Sequence, residues 1–277
     1  MRLSLLAALA CPACGGELKF AVLEAYPSHD QRVEEATLGC KACSAEYPVS
    51  GGVPRLRVPG ARGGTLSTAG SARRAALPAL QADFLDATCF SPEDLAGKLV
   101  LDAGGPAGRR GTAARALGAE VVVLEPEAAE VAELSRRADG DPKLHPVEGD
   151  LARPPFKPAV FDAAWSLDAV SRQDDPRAAF KSLCALVKTR GAVSVRLAGA
   201  PGTFAQFSTN PLEPGAEWVA ERRRLAWLLV KLKSLLRPGG QTKEELARWF
   251  HDEGFVVHKT RPHGLDPAPA ALARKGR

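Results

Sequence analysis

Four cysteines near the start of the chain have the spacing of metal ligands. They form two pairs, Cys11 with Cys14 and Cys40 with Cys43, each separated by two residues. One such pair can bring two thiolates to one cation, and a second pair completes the tetrahedral set that structural zinc prefers. Two disulfides, four unrelated thiols and a redox dithiol are the alternatives. The pattern predicts a zinc knuckle whose four thiolates leave no coordination position open.

A second group of polar residues follows apolar, strand-like segments further along the chain. The first segment runs into a glycine-rich turn and the second ends in an acid; the residues are Asp102, Gly104, Gly105, Gly108 and Glu125. Glycine lets backbone amides approach a ligand, and the helix behind the turn presents its positive end. A carboxylate that ends the second strand can accept hydrogen bonds from both hydroxyls of a ribose. Later strand-like segments are followed by Asp150 and by Ser166 with Asp168. These residues predict a nucleotide-cofactor site.

Alternating strands and helices must position these residues. From Lys98 onward the pattern predicts strands over 99–102, 120–125, 144–147, 161–166 and 192–197, and helices over 109–117, 127–138 and 176–187. Such alternation gives an α/β fold, a doubly wound and mostly parallel sheet with helices on both faces. Ligands of these sheets bind at the carboxyl ends of the strands. All the polar residues named above fall there.

The N-terminal part is predicted to be a small ribbon. Apolar stretches at 18–25 and 37–39 predict strands, so that each cysteine pair lies at the end of a hairpin. Residues 1–10 imitate a short signal peptide, but we interpret them as a strand or turn that packs against the knuckle. No run approaches the ~20 apolar residues that a membrane span needs. We therefore expect a cytoplasmic protein, in which thiols stay reduced.

Length and composition indicate two domains. The 277 residues are 45% hydrophobic and 25% charged, with a formal net charge of +5, which suits one large core and a small accessory module. A glycine-rich stretch after Val58 predicts a linker. The expected division is a zinc ribbon over 1–58, a linker and helix over 59–90, and an α/β domain over 91–277. The basic balance permits contact with nucleic acid but does not require it.

Residues 91–260 resemble a class I S-adenosylmethionine-dependent methyltransferase. The resemblance rests on the turn from Asp102 to Gly108, the strand that ends at Glu125, the segment 148–156, and the segments 161–176 and 186–195. It implies a Rossmann-like fold that binds S-adenosylmethionine, with Glu125 on the ribose and Asp150 at the adenine amino group. The cofactor site that it implies consists of Asp102, Gly104, Gly105, Gly108, Glu125, Asp150, Leu151 and Ser166. Pro106 departs from the pattern, because it lacks an amide hydrogen where such enzymes have a glycine.

The N-terminal part has a resemblance of its own. The segment 9–14, the pair Cys40 and Cys43, and the segment 46–56 are similar to small zinc-ribbon proteins that activate tRNA methyltransferases. Ribbons of this type also occur fused ahead of bacterial methyltransferase domains. The resemblance implies structural zinc next to a methyltransferase domain.

These expectations describe methyl transfer to an acceptor that the sequence does not identify. A small molecule is the favoured acceptor, and RNA bound by the ribbon and a basic helix over 217–236 is the alternative. A binding or partner protein without catalysis is the third hypothesis. Asp168 is the candidate general base, and a solvated or capping acid is its other interpretation.

Overall fold

The fold is built on one continuous sheet, seen in a computed structural model that describes residues 1–23, 32–58, 77–104, 108–167, 169–196, 243–262 and 269–275. Its strands are β1 (Leu18–Leu23), β2 (Ala36–Cys40), β3 (Glu46–Ser50), β4 (Val53–Leu56), β5 (Leu99–Ala103), β6 (Glu120–Glu125), β7 (Leu144–Gly149), β8 (Phe161–Ser166), β9 (Val187–Arg196), β10 (Phe255–Pro262) and β11 (Pro269–Lys275). Their order across the sheet is β1-β2-β3-β4-β7-β6-β5-β8-β9-β11-β10. The parallel α/β sheet expected from the sequence is confirmed.

The parallel part of the sheet runs from β4 to β9, and antiparallel strands extend it on both sides. On one side β1 to β4 form an antiparallel meander. On the other side β11 pairs antiparallel with both β9 and β10. The meander is the ribbon predicted from the cysteine spacing, and its last strand pairs directly with β7. The predicted domain limits stay predictions, because both parts share this sheet.

Six α-helices are present in the described residues, besides short 3₁₀-helices at Pro92–Asp94 and Val170–Arg172: α1 (Leu3–Leu6), α2 (Leu77–Thr88), α3 (Arg109–Ala116), α4 (Ala128–Ala138), α5 (Pro176–Ala185) and α6 (Lys243–Asp252). On one face of the sheet, residues of α2, α3 and α4 pack with Trp165, whose indole lies edge-on to Phe84 at 4.9 Å between ring centroids. On the other face α5 and α6 pack through Phe180 and Phe250. The sheet is therefore covered by helices on both sides, as its continuous apolar strands require.

Two local predictions need correction. Helix α5 ends at Ala185 rather than Val187, and β9 begins at Val187, five residues before the predicted start. A register shift between β8 and β9 accommodates the extra residues, with Arg190 in the left-handed region at φ 64°. The N-terminal apolar segment forms a short helix and turn, which packs its leucines into the core. No helix in the described ranges is long and apolar enough to cross a membrane.

Candidate cofactor site and metal centre

The four predicted zinc ligands lie together. Their sulfur atoms are all within 4.8 Å of one another. The Sγ atoms of Cys11 and Cys43 are 3.7 Å apart, and those of Cys14 and Cys40 are 3.5 Å apart. Four thiolates about 2.3 Å from a tetrahedral zinc ion would lie about 3.8 Å apart. Because all four are free cysteines in this arrangement, their number, chemistry and spacing fit a zinc ion.

Neighbouring groups form hydrogen bonds with the thiols of this cluster and shift their pKa values in both directions. The hydroxyl of buried Tyr47 lies 3.3 Å from Cys11 Sγ, and the amide of Gly16 donates to Cys14 Sγ at 3.4 Å. Burial raises the pKa of Tyr47, so its hydroxyl stays a proton donor. Burial also acts to raise the pKa of Cys40, but the amides of Cys43 and Ala42 outweigh it and lower that pKa to about 7. By contrast, against the lowering effect of the Gly16 amide, the thiols of Cys43 and Cys40 raise the pKa of Cys14 to about 12, and the pKa of Cys43 is also raised. The fit to a cation therefore rests on the number and spacing of the thiols.

The predicted cofactor residues lie at one edge of the sheet. Asp102 is in β5, Glu125 ends β6 and Asp150 directly follows β7, and these three parallel strands are neighbours. Asp102 pairs with Val123, two residues before Glu125, which places both acids on the same face. All three side chains are buried. The structure therefore brings together the acids that the sequence places at separate strand ends.

Asp102 is the most deeply buried of these acids. Its Oδ2 atom accepts a hydrogen bond from the amide of Gly111 at 3.0 Å, which fixes the first turn of α3 against the strand. Within the described part of the chain, its Oδ1 atom has no hydrogen-bond partner, and neither has the indole nitrogen of Trp165. Burial raises the pKa of Asp102 to about 6, against the lowering effects of the Arg110 charge and the Gly111 amide. Such a displaced pKa is common at functional sites.

The other polar residues at this edge shape the turns in which they lie. Glu125 accepts from the amide of Glu127 at 3.1 Å, and Asp150 accepts from the amide of Ala152 at 2.9 Å. Ser166 is buried and accepts from the amide of Val170 at 3.1 Å. Each side chain is thus held at a defined position by a local backbone donor. Leu151 is buried beside Asp150 and supplies an apolar surface at the same place.

Two glycines of the predicted turn have conformations that favour glycine. Gly104 has φ 83° and Gly108 has φ 61°. A Cβ atom at Gly108 would also lie 2.4 Å from Cδ1 of Leu134 in α4. Backbone conformation and space therefore both favour glycine there. Gly105, Pro106 and the candidate base Asp168 lie outside the described residues, so their predicted roles stay predictions.

The comparisons with known proteins agree with this geometry. Residues 101–195 match the family described as a methyltransferase domain, and residues 2–52 match the family described as Trm112p-like protein. A segment matched as Trm112p-like thus precedes a segment matched as a methyltransferase domain in this chain. The comparison with curated proteins found no match.

Two of the solved structures similar to this chain are described as methyltransferases. A magnesium protoporphyrin IX methyltransferase from Synechocystis, solved with bound S-adenosylhomocysteine, has 17% identity and a TM-score of 0.50, covering 72% of this chain and 82% of that one. An S-adenosylmethionine-dependent methyltransferase from Mesorhizobium loti has 18% identity and a TM-score of 0.49, covering 73% and 99%. The first of these similarities shows that the two proteins share a fold.

Sequence reasoning missed several residues that the structure places at these sites. Arg55 and Arg57, which follow the segment matched as Trm112p-like, contact Glu148 of β7 and the carbonyl of Pro126 after β6. Gly111 permits α3 to lie close to the sheet, since a Cβ there would be 2.9 Å from Val123. Tyr47 lies beside the cysteine cluster. For Tyr47, Arg55 and Arg57 the sequence offers one indication, because all three lie in the short segment that follows the second cysteine pair. It offers none for Gly111.

Proposed function

We propose that this protein is an S-adenosylmethionine-dependent methyltransferase whose zinc is structural. The observation that carries the proposal is the placement of three buried acids at the carboxyl ends of adjacent parallel strands, beside a turn of positive-φ glycines. Ligands of doubly wound sheets bind at this edge. The chemistry of the acids suits an adenosyl group, because carboxylates accept hydrogen bonds from ribose hydroxyls and from an adenine amino group.

In this proposal each predicted residue has a distinct task. Glu125 holds the ribose hydroxyls, and Asp150 with Leu151 receives the adenine ring. Asp102, Gly104, Gly105 and Gly108 shape the turn against which the rest of the cofactor lies, with Ser166 on the neighbouring strand. When bound, S-adenosylmethionine supplies a methyl group on a sulfonium sulfur, which is electrophilic.

The protein's own contribution to the reaction is positioning. An acceptor atom must lie in line with the methyl group, and closing the site against water then supplies much of the acceleration. A general base is needed only when the acceptor must lose a proton, and Asp168 is the proposed candidate for that case. The four thiolates bind zinc in a closed tetrahedral set, so the metal stabilises the Trm112p-like domain and takes no part in the transfer.

For the acceptor we propose a small molecule. RNA is the alternative, and the salt dependence of RNA binding distinguishes the two acceptors. RNA binding would fall steeply as salt is added, because contacts with phosphates release counterions. Thiolate ligands also suit a reducing compartment, and we propose that the protein acts in the cytoplasm.

Calorimetric titration with S-adenosylhomocysteine tests the cofactor assignment. We expect the unchanged protein to bind it, and Glu125→Ala to weaken binding by about 1.5 to 3 kcal/mol, the scale of a lost charge-assisted hydrogen bond. Glu120→Ala is the matched control, because Glu120 begins the same strand at the opposite edge of the sheet and pairs with His145. Absence of binding by the unchanged protein, or equal effects of the two variants, would contradict the proposal.

A further inference from the structure

Three charged residues stand in one row across the junction between the two domains. In the register of the sheet, Arg55 of β4 pairs with Glu148 of β7, and Glu148 pairs with Glu125 of β6. Residues that pair across neighbouring strands lie on the same face of a sheet. The row therefore consists of one basic residue, Arg55, followed by two acids, Glu148 and Glu125. Its last member, Glu125, is the carboxylate that we assign to the cofactor ribose.

The two acids of this row are an unfavourable pair by themselves. Neighbouring strands lie about 4.8 Å apart, and like charges directly opposite each other destabilise a sheet. Both acids are also buried, with Glu125 2% exposed and Glu148 9% exposed. A buried carboxylate is costly unless a partner compensates its charge.

Arg55 compensates the charge of Glu148. Its guanidinium forms an ion pair with the Glu148 carboxylate, and its Nε atom donates to the hydroxyl of Ser50 at 2.9 Å. Arg57 reaches the same region, where it donates to the carbonyl of Pro126 at 3.2 Å. Pro126 directly follows Glu125. Two arginines at the end of the ribbon, one in β4 and one just after it, thus contact the acid next to Glu125 and the turn that follows Glu125.

We propose that Arg55 is a positioning residue of the cofactor site. By neutralising Glu148, it relieves the repulsion that would otherwise displace the Glu125 carboxylate from the ribose. Arg57 holds the turn after Glu125 in place. This inference rests on the proposed function, since it concerns the same adenosyl site.

The competing explanation is that Arg55 only holds the two domains together. A second ion pair between the domains distinguishes this explanation from a role in positioning Glu125. Arg32 of the Trm112p-like domain pairs with Asp139 at 2.9 Å, just after α4. That contact also joins the two domains, but it lies near the amino end of β7, at the opposite edge of the sheet. Arg32→Met is therefore a matched control for Arg55→Met.

The test is calorimetric titration of the full zinc-loaded chain with S-adenosylhomocysteine. We expect Arg55→Met to weaken binding about tenfold, equivalent to about 1.4 kcal/mol, and Arg55→Lys to retain most of the affinity. The double variant Arg55→Met, Glu148→Gln should recover affinity close to that of the unchanged chain, because it removes the uncompensated carboxylate. Arg32→Met should bind normally. Zinc content and thermal unfolding are measured for each variant.

Rescue by the double variant separates a charge effect from loss of structure. If Arg55→Met binds normally, or if the double variant stays as weak as Arg55→Met, the inference is overturned while the proposed function stands. Equal losses in Arg55→Met and Arg32→Met would also overturn it, in favour of domain docking. If the unchanged chain does not bind S-adenosylhomocysteine, the proposed function fails and this inference fails with it.

Discussion

Replacing Asp102 by asparagine should make the protein more stable at neutral pH. Asp102 is fully buried, and burial raises its pKa to about 6, whereas an unfolded chain has an aspartate pKa of about 3.9. The folded state therefore binds the Asp102 proton more tightly than the unfolded state does. The free energy of unfolding falls as pH rises between these two pKa values and levels off above about pH 6. A difference of about two pKa units corresponds to about 3 kcal/mol. An asparagine oxygen can still accept from Gly111 without carrying a charge.

Urea unfolding between pH 5 and pH 8 measures this effect. We expect Asp102→Asn to exceed the parent by about 3 kcal/mol in free energy of unfolding at pH 8, and by about half of that at pH 5. Asp162→Asn is the control, because Asp162 forms an ion pair with Lys188 and accepts from the amide of Leu99; its loss should not stabilise the chain. A variant no more stable than its parent at pH 8, or a difference that does not change with pH, would refute the reasoning.

Three further predictions concern the glycine turn and the metal centre. Gly108→Ala should lower the free energy of unfolding in urea more than Gly140→Ala does. Both glycines have positive φ, but only a Cβ atom at Gly108 would collide with Leu134. Equal decreases in the two variants would contradict this prediction. Tyr47→Phe should weaken zinc binding about tenfold in competition with a chromogenic chelator, the usual scale for a group that supports a metal ligand; unchanged affinity would exclude that role. Cys40→Ser should lose zinc in metal analysis, whereas Cys184→Ser, which removes a cysteine outside the cluster, should keep it; a full zinc content in Cys40→Ser would defeat the metal assignment.

The features of the fold and site that depend on local pattern could be predicted from the sequence. Paired cysteines at fixed spacing indicated the metal cluster, and an apolar run followed by an acid and glycines indicated the first strand and its turn. The predicted boundary between α5 and β9 was wrong because Val187 already pairs with Phe161 of β8, and an irregular segment over 188–191 follows before pairing resumes at Ala192. Periodicity does not show such a long-range contact.

The contributions of Arg55 and Trp165 could not be predicted for a related reason. Arg55 matters because β4 happens to pair with β7, and no local pattern specifies which strands of two domains become neighbours. Trp165 faces Asp102 because β8 pairs with β5, and the indole otherwise looks like an ordinary core residue in the sequence. Identifying these residues requires the order of strands across the sheet.

A crystal structure of the chain with S-adenosylhomocysteine is the most direct test of the central claim. The account predicts that the ribose hydroxyls lie within hydrogen-bond distance of the Glu125 carboxylate, with the adenine ring beside Asp150 and Leu151. It would also show how Pro106 is accommodated in the turn. A ligand bound elsewhere, or an edge closed by the protein's own side chains, would contradict the account.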